Sequence, residues 1–342
     1  MHQKNYFFSS KKLTCYFNTD FSYLEELVSK DNVVMITDEN IILRHPDKFS
    51  GLKTIIIKPG EQNKNQNTFD YIIKELISIK ADRETFIIGV GGGVVTDIAG
   101  YAASVFMRGV KFGFVPTTIL AMVDAAVGGK NGIDVGLYKN LIGTTRQPEF
   151  LLFDYAFLQT LPDSQWINGF AEIIKHACIK DKNLFEHLEN NSLAFFQSSK
   201  DNIDALVKRN VELKCNVVSN DEFETGERKL LNFGHTLGHA VENKYELPHG
   251  NAVSIGMVAA CNISEKINGF DSTEKDRVIS LLKKYHLPVD LKFDRDKVWE
   301  VLLMDKKKSG DTMNFILLNA IGEGIVKPIS LHQLKDLVDL CL

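Results

Sequence analysis

Little in this chain is lopsided: 342 residues hold only five cysteines, carry a formal net charge of -4 and contain no block of clustered Lys and Arg. The cysteines (Cys15, Cys178, Cys215, Cys261 and Cys341) are odd in number and scattered, with no CxxC. That argues for reduced thiols in the cytoplasm rather than a disulfide framework. Without a basic patch there is nothing to track a phosphate backbone, so nucleic acid is not an expected partner. Residues Met1 to Ser10 are polar and lack the apolar centre of a signal peptide. One apolar run, Thr85 to Met107, has the length of a bilayer span, but three consecutive glycines and an aspartate interrupt it. A strand, a tight turn and a buried helix are expected there, and no membrane partner. Internal repeats and low-complexity segments are absent.

What is present is an ample apolar share, 44% against 25% charged residues, enough for a large core and about two domains. Disorder as the main state is excluded. Val33 to Thr37, Thr54 to Lys58, Phe86 to Val90, Phe112 to Val115 and Phe150 to Asp154 are apolar on both faces, as buried parallel strands are. Thr68 to Lys80 and Val94 to Val105 between them read as crossover helices. From Gln165 onward the periodicity is mostly helical: Trp166 to Lys180, Ile203 to Val218, Leu230 to Lys244, Ala252 to Lys266 and Lys275 to Tyr285. A short strand at Asn314 to Leu318 and a helix near Leu331 to Leu340 follow. The expected architecture is α/β: an N-terminal Rossmann-like parallel-sheet domain over residues 1–161, then a mostly helical domain over 162–342.

Three groups of residues carry chemistry. Gly91-Gly92-Gly93 closes a strand and opens a helix, with Asp97 one turn inside it; such a turn brings backbone N–H groups and the helix dipole close to a phosphate. It is not a GxGxxG fingerprint, because Val94 stands at the third glycine position counted from Gly89. Pro116-Thr117-Thr118 ends a second strand, so two loops meet at the carboxyl edge of the sheet, where ligands of open α/β sheets bind. Next, Ala126 to Gly132 and Lys139-Asn140 lie in one long connection, with lysines, an amide and glycines suited to an anionic group or, more blandly, to a solvated turn. Finally, Glu172 sits mid-helix among apolar residues, while His235 and His239 are four apart on one helix face and His249 stands between Pro248 and Gly250. One carboxylate plus two imidazoles suits a catalytic zinc with an open position. Spacing alone leaves open which two of the three histidines ligate.

Taken in order, these motifs resemble the 3-dehydroquinate synthase family over nearly the whole chain. The matching stretches include Gly60-Glu61 with Lys64, Gly91 to Asp97, Phe106-Met107-Arg108-Gly109, Val115 to Thr118, Val123 to Lys130 and Lys139-Asn140. Ala171 to Lys175, Leu231 to Thr236, His249-Gly250 and Asp305-Lys306-Lys307 complete them. The resemblance implies a lyase that uses bound NAD and a divalent metal, zinc or cobalt. It would convert 3-deoxy-D-arabino-heptulosonate 7-phosphate to 3-dehydroquinate and phosphate on the shikimate route to aromatic amino acids. It implies Glu172, His235 and His249 as metal ligands, with His239 beside the substrate. On NAD it puts Asp38, Asn40, Glu61, Lys64, Gly91, Gly92, Gly93 and Asp97. Thr117, Thr118, Lys130, Lys139 and Thr160 join that set. The implied substrate residues are Asp124, Lys130, Asn140, Lys175, Lys214, Arg228 and Asn232, with one or both of Lys306 and Lys307. The arginine matching Arg108 reaches a neighbouring subunit in that family, which implies a homodimer.

The chain departs from the family pattern in three places. His249-Gly250-Asn251 stands for His-Gly-Glu, Gly60-Glu61-Gln62-Asn63-Lys64 for Gly-Glu-Lys-Tyr-Lys, and Gly129 to Asp134 ends in Asp rather than Asn. The competing readings are another sugar-phosphate cyclase or a metal-dependent polyol dehydrogenase. The many cations (Lys130, Lys139, Lys175, Lys214 and Arg228) are surplus to an uncharged polyol.

Overall fold

The computed structural model describes residues 2–9, 11–136, 138–290, 294–303 and 308–341. The chain falls into two compact units, Met1–Gln165 with Lys200–Phe223, and Trp166–Ser199 with Glu224–Leu342. The helix Lys200–Asn220 therefore counts with the sheet, to which Lys4–Glu212 and Tyr155–Asp204 contacts tie it. No helix among the described residues is long and apolar enough to cross a membrane.

The first unit is built on one seven-stranded sheet. Its strands in chain order are β1 (His2–Phe7), β2 (Lys12–Phe17), β3 (Val33–Asp38), β4 (Thr54–Ile57), β5 (Phe86–Gly91) and β6 (Lys111–Pro116). A two-stranded ribbon, β7 (Lys130–Val135) and β8 (Tyr138–Thr145), precedes the last sheet strand, β9 (Phe150–Leu152). Across the sheet the order is β1-β2-β9-β6-β5-β3-β4, parallel throughout except for the β1–β2 hairpin at one edge. All five expected parallel strands form, and Val33, Val34, Met35 and Ile36 of β3 are buried to the last side chain, as a central strand covered on both faces requires. The crossover helices run Gln66–Ser78 and Gly93–Val105.

Two elements differ from expectation. The polar amino terminus pairs as the hairpin, register His2 with Phe17 through Phe7 with Lys12. The long connection around Lys130 and Lys139 is an antiparallel ribbon, not a loop, and its Asn131 and Ile133 are buried. A Cβ on Gly100 would lie 1.9 Å from Asn131 Oδ1, so a glycine in the Gly93–Val105 helix is what lets the ribbon lie down.

The second unit is mostly helical, with Asp163–Lys180, His235–Tyr245 and His249–Asn268 at its centre and a small antiparallel sheet of Lys308–Ser309, Thr312–Ala320 and Glu323–Ser330. The helices starting at His235 and His249 touch backbone to backbone. A Cβ on Gly256 would sit 1.8 Å from the Gly234 carbonyl oxygen, and one on Gly238 3.0 Å from that of Ala252. Gly234 itself is left-handed, φ 77°, at the helix entry. Because backbone cannot yield as a side chain does, Gly256→Ala should cost at least about 1–3 kcal/mol. Urea unfolding of the variant checks this, and unchanged stability would show that the helices separate freely.

Candidate functional site

In the first unit the chain adds β4 on one side of β3, returns to lay β5 on the other, then continues outward with β6 and β9. The reversal makes a topological switch point between the carboxyl ends of β3 and β5, the usual cradle for a nucleotide. Asp38 and Gly91 end those two strands. Side chains at the glycine turn would collide with the fold: a Cβ on Gly91 would lie 2.5 Å from Val95, on Gly92 3.1 Å from Thr118, and on Gly93 3.1 Å from Ala125. Glycine thus lets the helix begin at once after the strand, its first-turn N–H groups directed to the sheet edge. At that edge the Thr117 hydroxyl is buried without a hydrogen-bond partner, while Thr118 Oγ1 accepts from Ala121 N at 3.1 Å. Asp38 caps the next helix, accepting from Asn40 N at 2.8 Å and Ile41 N at 3.1 Å; burial pushes its carboxyl up and those bonds oppose it. Thr160 Oγ1 pairs with His45 Nε2 at 2.9 Å.

Lys64 is the centre of a second cluster. Its ammonium, 4% exposed, lies 2.8 Å from Glu61, 3.4 Å from Asp97 and 3.7 Å from Asp134, and donates to Asn140 Oδ1 at 2.9 Å. Lys139 stands 3.8 Å from Glu61. Burial alone would lower the Lys64 pKa, but three carboxylates raise it. Asp97 is pushed up to about 7 by burial, against the pull of Lys64. Asn140, expected with the substrate, thus stands beside a residue of the expected NAD set. Asp134 belongs to the cage and was not among the candidates; its place in a strand-like alternation beside Lys130 was the available signal. Lys130 opens the ribbon, exposed.

Two further candidates meet on this unit: Lys214, buried on the Lys200–Asn220 helix, reaches the Asp124 carboxylate at 2.7 Å and its carbonyl at 2.6 Å. Arg108 is exposed and left-handed, φ 65°, directly after a left-handed Met107, φ 51°.

In the second unit Glu172, fully buried, turns Oε1 toward His249 Nε2 at 3.0 Å and His235 Nε2 at 3.3 Å. Its other oxygen is paired with Lys175, 1% exposed, one helical turn away. His235 Nδ1 lies 3.1 Å from the Phe233 carbonyl, the acceptor for its N–H, which makes Nε2 the lone-pair nitrogen of the neutral ring, facing Glu172. Burial would raise the Glu172 pKa, but Lys175 and the imidazoles hold it well below the usual range. His235 is lowered by burial. His249 rises to about 10, because hydrogen bonds to Glu172 and Glu242 outweigh its burial. The donors of Glu172, His235 and His249 lie within 4.8 Å of one another. His239 adjoins them, its ring 5.1 Å from His235 and 6.2 Å from His249. Glu242 was missed by the sequence reading, although it falls seven residues after His235 and so on the same helix stripe.

Arg228 is 2% exposed, buried although it follows the acidic stretch Asp221 to Glu227. Glu227 pairs with Lys180, and Glu224 accepts from Asn232. Lys306 and Lys307 lie outside the described residues.

This fold is that of the sugar-phosphate cyclases. It superposes on 2-deoxy-scyllo-inosose synthase, crystallised with carbaglucose-6-phosphate, NAD+ and Co2+, with a TM-score of 0.88 at 26% identity over 100% of both chains. 2-Epi-5-epi-valiolone synthase from Streptomyces hygroscopicus, with NAD+ and Zn2+ bound, shares the fold at 0.87 and 23% identity over 100% and 98% of the two chains. Residues 54–168 match the 3-dehydroquinate synthase N-terminal family model and residues 169–308 the 3-dehydroquinate synthase C-terminal model. The 3-dehydroquinate synthase of Campylobacter hominis is 40% identical over 327 residues, 91% of this chain and 94% of the relative; that of Clostridium botulinum is 39% identical over 320 residues, 89% of each. The chain belongs to the 3-dehydroquinate synthase family.

The Lys64 cage sets a pH dependence. A carboxyl whose folded pKa, about 7 for Asp97, exceeds its unfolded value binds its proton more tightly in the fold. Its contribution is full below the ordinary carboxylate range and is lost as pH rises through about 7. The ligand-free protein should therefore gain stability from Asp97 between pH 8 and pH 6, and Asp97→Asn should flatten that part of the slope. Urea unfolding at both pH values reads it, and identical slopes would refute the protonated carboxyl.

Proposed function

We propose that this protein converts 3-deoxy-D-arabino-heptulosonate 7-phosphate to 3-dehydroquinate and phosphate, as a carbon–oxygen lyase working with bound NAD and one divalent cation, zinc or cobalt. The observation that carries this reading is the convergence of two imidazole Nε2 atoms on one oxygen of the buried Glu172. One carboxylate and two histidines are the donor set of open zinc sites. The glycine turn at the switch point, the helix N-terminus and the unpartnered Thr117 hydroxyl suit a dinucleotide in the same spirit. We accordingly assign NAD to the sheet domain, residues 1–161 in the sequence reading, and metal to the helical domain. A cation held by Glu172, His235 and His249 would supply Lewis acidity to a substrate hydroxyl, and NAD at the glycine turn would supply a reversible hydride acceptor.

The chain's own residues supply the rest. Lys175 neutralises and pins one oxygen of Glu172, which aims the other at the histidines. His239, on the His235 stripe, is the donor offered to the departing phosphate. Arg228, a buried guanidinium, is suited to clamp the substrate carboxylate bidentately. Lys214 holds Asp124 in place, and Asp124, Lys130, Asn140 and Asn232, with Lys307, complete the substrate contacts. Arg108, on its left-handed turn, serves the site of a second copy, so the working form is a homodimer. The free buried thiols Cys15, Cys178, Cys215 and Cys261 suit the cytoplasm.

Metal-dependent dehydrogenation is the rival, since an NADH-dependent butanol dehydrogenase from Thermotoga maritima shares the fold at a TM-score of 0.67 and 14% identity. Incubation with the heptulosonate phosphate separates them. The expected result is phosphate release without net NADH, abolished by a chelator and restored by Zn2+ or Co2+. Stoichiometric NADH, or full activity after chelation, overturns the proposal. Arg228→Ala should fold, keep metal and NAD, and lose roughly a hundredfold or more in kcat/KM. Kinetics close to the parent protein would show that the guanidinium does not hold the carboxylate.

A further inference from the structure

A second carboxylate lies against the triad. Glu242, 5% exposed, follows His235 and His239 along one face of the His235–Tyr245 helix, and its Oε2 stands 3.5 Å from His249 Nδ1. His249 is therefore addressed at both ring nitrogens: Nε2 by Glu172 at 3.0 Å and Nδ1 by Glu242. His235 has the neutral version of the same arrangement, its Nδ1 facing the Phe233 carbonyl at 3.1 Å. An imidazole that offers one nitrogen to a cation keeps its proton on the other, and a carboxylate accepting that N–H fixes the tautomer, the ring plane and the donor strength. Asn251, two residues after His249, supplies no charge for this purpose.

We infer that Glu242 is the positioning residue of the metal centre, accepting the Nδ1–H of His249 so that Nε2 faces the cation held with Glu172 and His235. The inference rests on the metal reading proposed above. The donors of His239, Glu242 and His249 also lie within 4.8 Å of one another, which makes direct ligation by Glu242 the rival. Against it, each ring nitrogen of His249 faces one carboxylate, Nδ1 that of Glu242 and Nε2 the Glu172 oxygen that His235 Nε2 also faces.

The experiment titrates metal-stripped full-length protein with Co2+, reading both the affinity by chelator competition and the visible absorption of the bound ion. His235→Ala is the control for the triad. Glu242→Gln and Glu242→Ala should each bind one Co2+ at least about tenfold more weakly than the parent, with a shifted visible spectrum and unaltered circular dichroism. Glu242→Asp, which keeps the charge on a shorter arm, should recover part of the loss. A purely structural role predicts altered folding with an unshifted spectrum, and that result overturns the inference. So do unchanged affinity in Glu242→Gln while His235→Ala loses the metal, or two Co2+ bound by the parent protein, which would make Glu242 a ligand. If His235→Ala binds Co2+ as tightly as the parent, the metal reading itself fails and this inference with it.

Discussion

Everything in the second unit answers to one constraint: a carboxylate, Glu172, with no exposure to water at all. An isolated charge in such a place costs far more than a fold can spare, so it must be matched by opposite charge and hydrogen bonds. Lys175 supplies the charge on one oxygen, and two imidazoles crowd the other. The helix that carries Glu172 and the two helices that begin at the histidines must then meet at fixed distances. The glycines at 234, 238 and 256 allow that by removing the side chains that would otherwise separate the helices. Burial, ion pairing and close helix contact are thus one arrangement, not three.

The first unit solves the mirror problem around a buried cation. Lys64 is hemmed in by Glu61, Asp97 and Asp134, more negative charge than it can balance. Burial, aided by Glu61 and Asp134 and opposed by Lys64, pushes the Asp97 carboxyl up to about 7, so the region responds to pH where most carboxylates do not. The two units therefore hold complementary centres, one organised about an anion and the other about a cation.

The sequence spoke clearly where burial imposes composition. Val33 to Thr37 and Phe86 to Val90 are apolar on both faces because central parallel strands must be, and the glycines after Val90 stand where side chains would strike Val95, Thr118 and Ala125. It was silent where pairing depends on backbone alone. The strand His2–Phe7 has mostly exposed side chains, and the ribbon strand Tyr138–Thr145 has no buried residue, so neither strand leaves an apolar imprint. In the site, histidines and their spacing narrowed the candidate metal ligands to a short set, and the family resemblance singled out Glu172, His235 and His249 as the expected ones. Glu242 escaped because an acidic residue on a helix is ordinarily a solvated one, and only its burial beside His249 sets it apart.

The consecutive left-handed residues Met107 and Arg108, φ 51° and 65°, form a turn closed by Gly109 N–H on the Phe106 carbonyl at 2.8 Å and Val110 N–H on the Ala103 carbonyl at 2.9 Å. Each side chain in that conformation sacrifices about 1–2 kcal/mol relative to ordinary backbone. Glycine at position 107 would relieve the strain, yet the chain keeps a bulky residue there, 45% exposed beside the exposed arginine. The turn is thus a locally costly one whose two outward side chains, a thioether and a guanidinium, are open to solvent.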